Sequence, residues 1–408
     1  MRIVSEAELG SVFETLRAEP RCVVSGNFAT PSTLLTLFDR HVPTYTLHML
    51  LAQHGIPDRP GVTYETAFVG PGMRDHPRLQ YVPCRLSLVP RLLAGPFIPD
   101  VVLIHTTPSR DGTMSLGIET NVLPAAIESA KRNGGVVVAQ ANRSMPYTFG
   151  DSEVDVDMVD YCLESQEPLS SPVVRAPGDV EHRIGVLVAD EVPNGATLQV
   201  GIGAIPDAVL GAMSNKRGLA VWTEVFSDGV LGLVRAGAID DSLPLRTSFL
   251  FGTPELYEWV NDNPRVRMMR TEASNSPGMI AQQRLMTSIN AALQVDLFDQ
   301  ANATRIRGRI FSGLGGSTDF LVGAMQATGG SSIITLRSWH DKSDCSTIVP
   351  RLEEPTTHLQ HTAVITEHGV ARMFGRSQRD QALGLINDAA DPRAREWLSN
   401  EARGLGLL

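Results

Sequence analysis

Residues 99–138 have the sequence PDVVLIHTTPSRDGTMSLGIETNVLPAAIESAKRNGGVVV. The apolar run at 101–104, bounded by prolines, is typical of a buried β-strand. The segment 124–132 is typical of an α-helix that stops at a Gly-Gly pair, and 136–138 resumes as a strand. A strand, a helix and a strand in this order predict a βαβ unit, and therefore a parallel sheet.

The second half of the chain repeats this alternation of strands and helices. Strands are predicted at 197–200, 219–222, 245–251, 266–269, 332–336 and 363–365. Helices are predicted at 183–191, 206–213, 230–235, 255–260, 320–326, 378–387 and 393–400. A Pro- and Ser-rich stretch at about 164–182 has little apolar periodicity and suggests a connection. We therefore predict an α/β protein with domains 1–180 and 181–408.

The composition excludes several classes of protein. The chain has 408 residues, 42% of them hydrophobic and 20% charged, which is ordinary for a globular protein with a large core. Its formal net charge is −10, so an overall electrostatic attraction to nucleic acid is not expected. No window approaches about 18 uninterrupted apolar residues, residues 1–6 lack the apolar core expected of a signal peptide, and the four cysteines are widely spaced. These features predict a cytoplasmic protein with reduced core thiols and no membrane partner.

Several common catalytic motifs are absent. The sequence has no GxxxxGK[ST] loop, no HExxH and no GxSxG. His358 and His361 are three residues apart, but no neighbouring ligand supports them, so no metal site is expected. The stretch from Gly201 resembles the start of a dinucleotide fingerprint, but Pro206 stands where the third glycine belongs.

Two glycine-rich loops lie before predicted helices. One is Gly201-Ile202-Gly203, and the other is Gly313-Leu314-Gly315-Gly316. Glycine allows close backbone approach, and a helix that starts directly afterwards offers free N–H groups to an anion. The pair suits a phosphorylated cofactor or an oxyanion. Each loop taken alone is equally consistent with a tight turn.

Three polar residues are candidates for chemistry. Glu224 and Glu367 each follow a predicted strand, where ligands bind in open α/β sheets. Asn275, in an Asn-Ser-Pro-Gly turn, could donate an amide hydrogen bond. Judged by position alone, each also has a purely structural explanation. Glu224 could be a solvated surface residue, Glu367 could lie in a loop with a helix cap, and Asn275 could form an Asx-turn.

These motifs together resemble the acetyl-CoA hydrolase/transferase family. The resemblance runs through most of the chain and is densest in its second half. The matching stretches are 194–206, 223–229, 275–277, 288–292, 312–316, 319–320 and 366–371, with looser matches at 115–117, 145–146 and 150–151. Two positions that border these stretches differ from the family. Trp222 stands where the family usually has histidine, and Ser317 where it usually has glutamine.

The resemblance implies two CoA-transferase-type (NagB/RpiA-like) α/β domains with mainly parallel sheets. It makes Glu224 the nucleophile, with Asn275 and the backbone at Gly316 forming an oxyanion site. It also implies that Glu367 lies near the nucleophile. The residues that it assigns to binding the CoA substrate are Gly201, Gly203, Gly313, Gly315 and Glu367.

The function implied by the resemblance is transfer of CoA from an acyl-CoA to a small carboxylic acid through a glutamyl-CoA thioester. CoA is then a substrate, no permanently bound cofactor is expected, and a homodimer is expected. An acyl-CoA hydrolase is the first alternative, and an acyl-CoA binding protein with altered catalysis is the second. Trp222 bears on both alternatives. Its replacement of the usual histidine is the hint of altered catalysis, and an indole near Glu224 would exclude water and so favour transfer over hydrolysis.

Overall fold

The structure is a computed structural model that describes residues 1–173 and 176–408. Its residues group into two compact units that interleave along the chain. The first unit comprises Met1–Val173, Leu245–Ser274 and Ile310–Gly315. The second comprises Val174–Pro244, Asn275–Arg309 and Gly316–Leu408. Two segments from the second half of the sequence thus belong to the first unit.

The domain division at 180/181 stays a prediction, because a compact unit is not the same as an independently folding domain. The predicted connection at 164–182 contains the end of a strand, Tyr161–Ser165, and the start of a helix, Asp179–Glu191. Residues 174 and 175 of that connection lie outside the described residues.

In the described part of the first unit, eight strands form one parallel sheet. Its order is Arg2–Ile3, Tyr161–Ser165, Val136–Asn142, Val101–Thr106, Arg21–Val24, Tyr45–His48, Val62–Thr66 and Leu79–Tyr81. The helices of this unit are Glu6–Phe13, Ser32–His41, Val89–Leu93, Leu123–Arg132, Pro254–Val260 and Thr271–Ser274.

The position of the strand Val101–Thr106 at the centre of this sheet explains the apolar run at 101–104. All six residues are buried. Successive side chains contribute to two different core clusters, with Val101 in one and Val102 in the other. A strand covered on both faces is apolar at successive positions, as this one is at 101–104. The strand lies parallel to Val136–Asn142, with Val101 opposite Val136, which confirms the predicted βαβ unit.

The second unit contains a smaller sheet, in which five described strands are parallel and a sixth is antiparallel. Its order is Ala220–Val221, Thr197–Val200, Met286–Ala291, Ser331–Thr335, Ala363–Thr366 and Gly369–Arg372. The α-helices of this unit are Asp179–Glu191, Ala204–Ala212, Asp228–Arg235, Pro277–Ile280, Ser317–Gln326, Gln378–Gly384 and Arg395–Gly404. Both units therefore confirm the mixed α/β fold with mainly parallel sheets.

Shorter elements complete the described chain. The other strands are Thr113–Ser115, Phe149–Gly150, Glu153–Asp155, Val225–Ser227, Leu245–Thr247, Phe249–Phe251, Val266–Met268, Gln294–Asp296, Gln300–Asn302, Arg305–Ile306, Arg309–Ile310, Trp339–His340, Cys345–Ser346, Ile348–Val349 and His358–Leu359. The 3₁₀ turns are Asn27–Ala29, Leu86–Leu88, Val156–Met158 and Pro392–Ala394, and the π turn is Leu385–Ala389.

The cysteines follow the prediction of core thiols in three of four cases. The thiols of Cys22, Cys84 and Cys162 are buried, whereas that of Cys345 is exposed. The prediction was wrong for Cys345, because it lies in the short strand Cys345–Ser346, outside the main sheet of its unit. Across the described helices, none combines the length and the apolar character needed to span a membrane.

Candidate functional site

Glu224 lies just beyond an edge strand of the second unit's sheet. The strand Ala220–Val221 runs parallel to Thr197–Val200. The amide N–H of Trp222 continues this pairing by donating to the carbonyl of Leu198 at 3.0 Å. The Thr223 hydroxyl then donates to the carbonyl of Val225 at 3.0 Å, which closes a bend around Glu224. The local sequence thus presents the carboxylate at the carboxyl end of the sheet, the usual ligand-binding edge.

Asn275 and Gly316 both lie against one oxygen of this carboxylate. The side-chain amide of Asn275, fully buried, donates to Oε2 of Glu224 at 2.6 Å. A Cβ built on Gly316 would lie 1.8 Å from the same oxygen and 2.1 Å from Nδ2 of Asn275. The Glu224 carboxylate therefore occupies the space that any side chain at residue 316 would need.

Gly316 is also the N-cap of the helix Ser317–Gln326. The first turn of a helix has N–H groups without partners inside the helix, and it carries the positive end of the helix dipole. Contact with Gly316 therefore puts the Glu224 carboxylate against an electropositive backbone. The same contact suits an oxyanion that forms beside that carboxylate.

The surroundings raise the pKa of Glu224 from its ordinary value of 4.5 to about 7. Burial is the main cause, because it disfavours the charged form. The hydrogen bond from Asn275 opposes this rise, and the negative charge of Asp319 adds to it. Asp319 is fully buried in the first turn of the same helix. The carboxyl group thus keeps its proton to a higher pH than an ordinary glutamate does.

The raised pKa predicts that Glu224→Gln stabilises the protein more at alkaline than at acid pH. The native carboxyl keeps its proton up to about pH 7, whereas the unfolded one loses it near 4.5, so the wild type loses stability across that interval. Glutamine has no charge to bury and can still accept from Asn275. The stability gained by the variant should grow by about 2 kcal/mol between pH 5 and pH 8, measured by urea unfolding of both proteins. An equal gain at both pH values would contradict the raised pKa.

The predicted CoA-binding glycines of the second unit lie at the same sheet edge as Glu224. Gly201 follows the strand Thr197–Val200, and its N–H donates to the carbonyl of Ile289 at 3.2 Å. Gly203 is exposed, has φ of 117° and precedes the helix Ala204–Ala212. That left-handed φ explains why glycine is needed there, and the space around its Cβ position is open.

Gly313 and Gly315 belong to the first unit. A Cβ on Gly313 would lie 2.5 Å from the carbonyl oxygen of Ala67. Gly315 has φ of 58°, and its carbonyl accepts from the N–H of Leu86 at 3.0 Å. Both glycines are thus required by packing within their own unit, and their use by CoA stays a prediction.

Glu367 follows the strand Ala363–Thr366, which is separated from Ala220–Val221 by three strands of the sheet. Its carboxylate accepts two hydrogen bonds from Ser338, from the N–H at 3.0 Å and from the hydroxyl at 2.7 Å. The structure thus brings Glu224, Asn275 and Gly316 together. It shows Glu367 held by Ser338, and the placement of Glu367 near the nucleophile stays a prediction.

Two features of this site were missed by the sequence reasoning. Asp319 was noted only within a matched motif, because its effect on Glu224 depends on the burial of both groups. Ser338, which holds Glu367, carried no motif of its own. Only the folded sheet shows that it lies beside a residue 29 positions further along the chain.

His358 and His361 contact each other, and His361 also contacts Asp299. Their ring nitrogens Nδ1 and Nε2 are 3.0 Å apart, and Nδ1 of His361 is 2.6 Å from a carboxylate oxygen of Asp299. Within residues 1–173 and 176–408, no group of three or more His, Cys, Asp and Glu side chains is arranged to hold a metal ion.

Two family models match this chain. The acetyl-CoA hydrolase/transferase N-terminal domain matches residues 59–174, and the C-terminal domain of that family matches residues 252–402. Among curated proteins, the 4-hydroxybutyrate coenzyme A transferase of Clostridium kluyveri is 37% identical over 382 residues. That alignment covers 89% of this chain and 88% of the relative.

Solved structures match over the whole chain. A 4-hydroxybutyrate CoA-transferase from Porphyromonas gingivalis superposes with a TM-score of 0.82 at 31% identity, covering 99% of this chain and 98% of that one. RipA from Yersinia pestis superposes with a TM-score of 0.92 at 26% identity, covering 100% and 98%.

Proposed function

Because the chain belongs to the acetyl-CoA hydrolase/transferase family, we propose that it is a CoA-transferase that moves CoA from an acyl-CoA to a small carboxylic acid. The observation that carries this proposal is the Glu224 carboxylate, held by Asn275 directly over Gly316. A carboxylate presented in this way is a nucleophile for a thioester carbonyl.

The proposed reaction begins when an ionised oxygen of Glu224 attacks the acyl carbonyl. The C–S bond breaks, and a mixed anhydride and a CoA thiolate form. The thiolate then attacks the glutamyl carbonyl of the anhydride, which releases the donor carboxylate and leaves a glutamyl-CoA thioester. An acceptor carboxylate reverses these two steps and departs as the new acyl-CoA, so Glu224 returns to its starting state.

Asn275 and the backbone at Gly316 have separate roles in this scheme. The Asn275 amide fixes the orientation of the resting carboxylate and is within reach of an oxyanion that develops on it. Gly316, without a Cβ, leaves room for both the carboxylate and the tetrahedral intermediate. Removing one such oxyanion donor typically lowers kcat about 10²- to 10³-fold.

The function is tested by measuring free CoA and new acyl-CoA with a panel of acyl-CoAs, each with and without a carboxylate acceptor. Transfer that needs the acceptor supports the proposal. Rapid release of CoA without acceptor would make the protein a hydrolase, the other activity in the family's name. Binding of acyl-CoA without either reaction would make it a binding protein.

The raised pKa of Glu224 predicts the pH dependence of transfer. The nucleophile must be ionised, so kcat/KM should rise about tenfold per pH unit below pH 7 and level off above it. The profile should be measured with a donor and an acceptor that do not titrate between pH 5 and pH 9. A plateau that extends down to pH 5 would show that a carboxyl with an ordinary pKa, and not Glu224 in this setting, limits the reaction.

A further inference from the structure

A cleft in the second unit has no role in the reaction proposed for Glu224. It has a volume of about 540 Å³, within the usual range for small-ligand sites. Two of the four tryptophans of the chain line it. Its lining residues include Gln294, Arg307, Trp339, Arg351, Arg393 and Trp397.

The cleft lies at the sheet edge that also carries Glu224. Gln294 comes shortly after the strand Met286–Ala291, and Trp339 comes shortly after the adjacent parallel strand Ser331–Thr335. Both residues therefore lie beyond the carboxyl ends of neighbouring strands. Trp339 directly follows Ser338, which holds the carboxylate of Glu367.

The cations of the cleft include two that are not committed to other groups. Arg307 and Arg351 are exposed, and among the described residues their guanidinium groups have no ion pair or hydrogen bond. Arg393 is held by Asp391 and lies 3.9 Å from the ring centre of Trp339. An arginine with no partner in the protein is well suited to bind phosphate oxygens.

Acidic residues of the cleft only partly offset these cations. Glu353 and Glu354 also line the cleft, against three arginines. The Glu354 carboxylate accepts from the N–H of Gly308 at 2.5 Å. In a chain with a formal charge of −10, a cleft with more arginines than glutamates is a local exception that favours anions.

The two indoles offer flat apolar surfaces beside these cations. The ring N–H of Trp339 donates to Asp344 at 3.1 Å, which fixes the ring. Trp397, on the helix Arg395–Gly404, is 45% exposed, although a large aromatic side chain gains from burial. Nucleic-acid bases stack favourably on aromatic rings of this kind.

We propose that this cleft binds the nucleotide end of CoA, with its phosphates on Arg307 and Arg351 and its adenine against the tryptophans. This inference rests on the proposed function, since it assigns a place to one end of the same substrate. Binding energy from a part of the substrate that does not react can be used to promote reaction at a distant group. A free adenine nucleotide has the same chemistry, and the test below separates the two sources.

The test compares acyl-CoA with the matching S-acylpantetheine, which lacks the nucleotide. Arg307→Gln and Arg351→Gln should each raise KM for acyl-CoA about 5- to 10-fold, and the double variant about 50-fold. The same variants should change kcat/KM for acylpantetheine less than twofold. Arg379→Gln, at an exposed arginine outside the cleft, is the matched control and should leave both substrates unaffected.

Unchanged KM for acyl-CoA, or equal losses with both substrates, would overturn the assignment. A second experiment needs no turnover: the protein is titrated with adenosine 3′,5′-bisphosphate, and binding is followed by tryptophan fluorescence. Arg351→Gln should weaken the binding of the bisphosphate. Binding of the bisphosphate without competition against acyl-CoA would show a separate nucleotide site and would also overturn the inference. If the bisphosphate competes with acyl-CoA but no transfer activity is found, the proposed function is rejected. The assignment of the cleft as the site for the nucleotide end of CoA is then retained.

Discussion

Glu224→Gln is expected to lower kcat for CoA transfer on the order of 10⁴-fold or more, as the loss of other covalent nucleophiles does. An amide cannot form the mixed anhydride, whereas its oxygen can still accept the hydrogen bond from Asn275. The fold and the hydrogen bond should therefore survive while the chemistry is lost. Initial rates of acyl transfer, measured together with the melting temperature, provide the test.

The matched control for this variant is Glu396→Gln. It makes the same chemical change at an exposed position on the helix Arg395–Gly404 and should leave the rate unchanged. A Glu224→Gln protein that retains a tenth or more of wild-type transfer would remove Glu224 from the mechanism. Loss of folding in that variant would instead contradict the expected gain in stability.

Gly316→Ala should give the second largest effect, a loss of turnover of at least about 10²-fold, because displacing reacting groups by 1 Å can cost this much. The added Cβ would lie 1.8 Å from Oε2 of Glu224 and 2.1 Å from Nδ2 of Asn275. Both contacts are with the ends of side chains, which can rotate away, and φ of −100° at residue 316 is accessible to alanine. The melting temperature should therefore change little while the carboxylate is displaced.

Gly232→Ala is the control for this substitution. Gly232 lies within the helix Asp228–Arg235, with open space where a Cβ would be placed. Alanine is the better helix former, so this variant should be as stable as the wild type or more so, and fully active. Full turnover in a folded Gly316→Ala protein would mean that the close approach of Glu224 to residue 316 is not needed for catalysis.

Much of the fold was predictable because parallel sheets leave a strong local signal. The strand Val101–Thr106 is apolar at most positions since both of its faces are covered. The strand Thr197–Val200 was predicted with its observed bounds. By contrast, the strand Met286–Ala291 was missed, because its sequence MTSINA has neither a continuous apolar run nor a strict alternation. Its polar side chains are buried and hydrogen-bonded, as in the bond from Ser288 to Gln199.

The candidate site was predictable in identity but not in arrangement. The motifs singled out Glu224, Asn275 and Gly316, and the structure brings these three together. No local pattern indicates that Glu367 binds Ser338 or that Asp319 is buried beside Glu224, because both depend on contacts between distant parts of the chain. The predicted strand at 245–251 similarly divides into Leu245–Thr247 and Phe249–Phe251, which pair in different sheets.

The central claim, that Glu224 carries CoA covalently, is tested most directly by mass spectrometry. The protein is incubated with acyl-CoA in the absence of acceptor, digested under mildly acidic conditions and compared with Glu224→Gln. We predict that the wild-type peptide containing Glu224 gains the mass of CoA less one water, and that the variant shows no adduct. An adduct on another residue, or a wild-type protein that transfers acyl groups and never acquires CoA at Glu224, would contradict the mechanism.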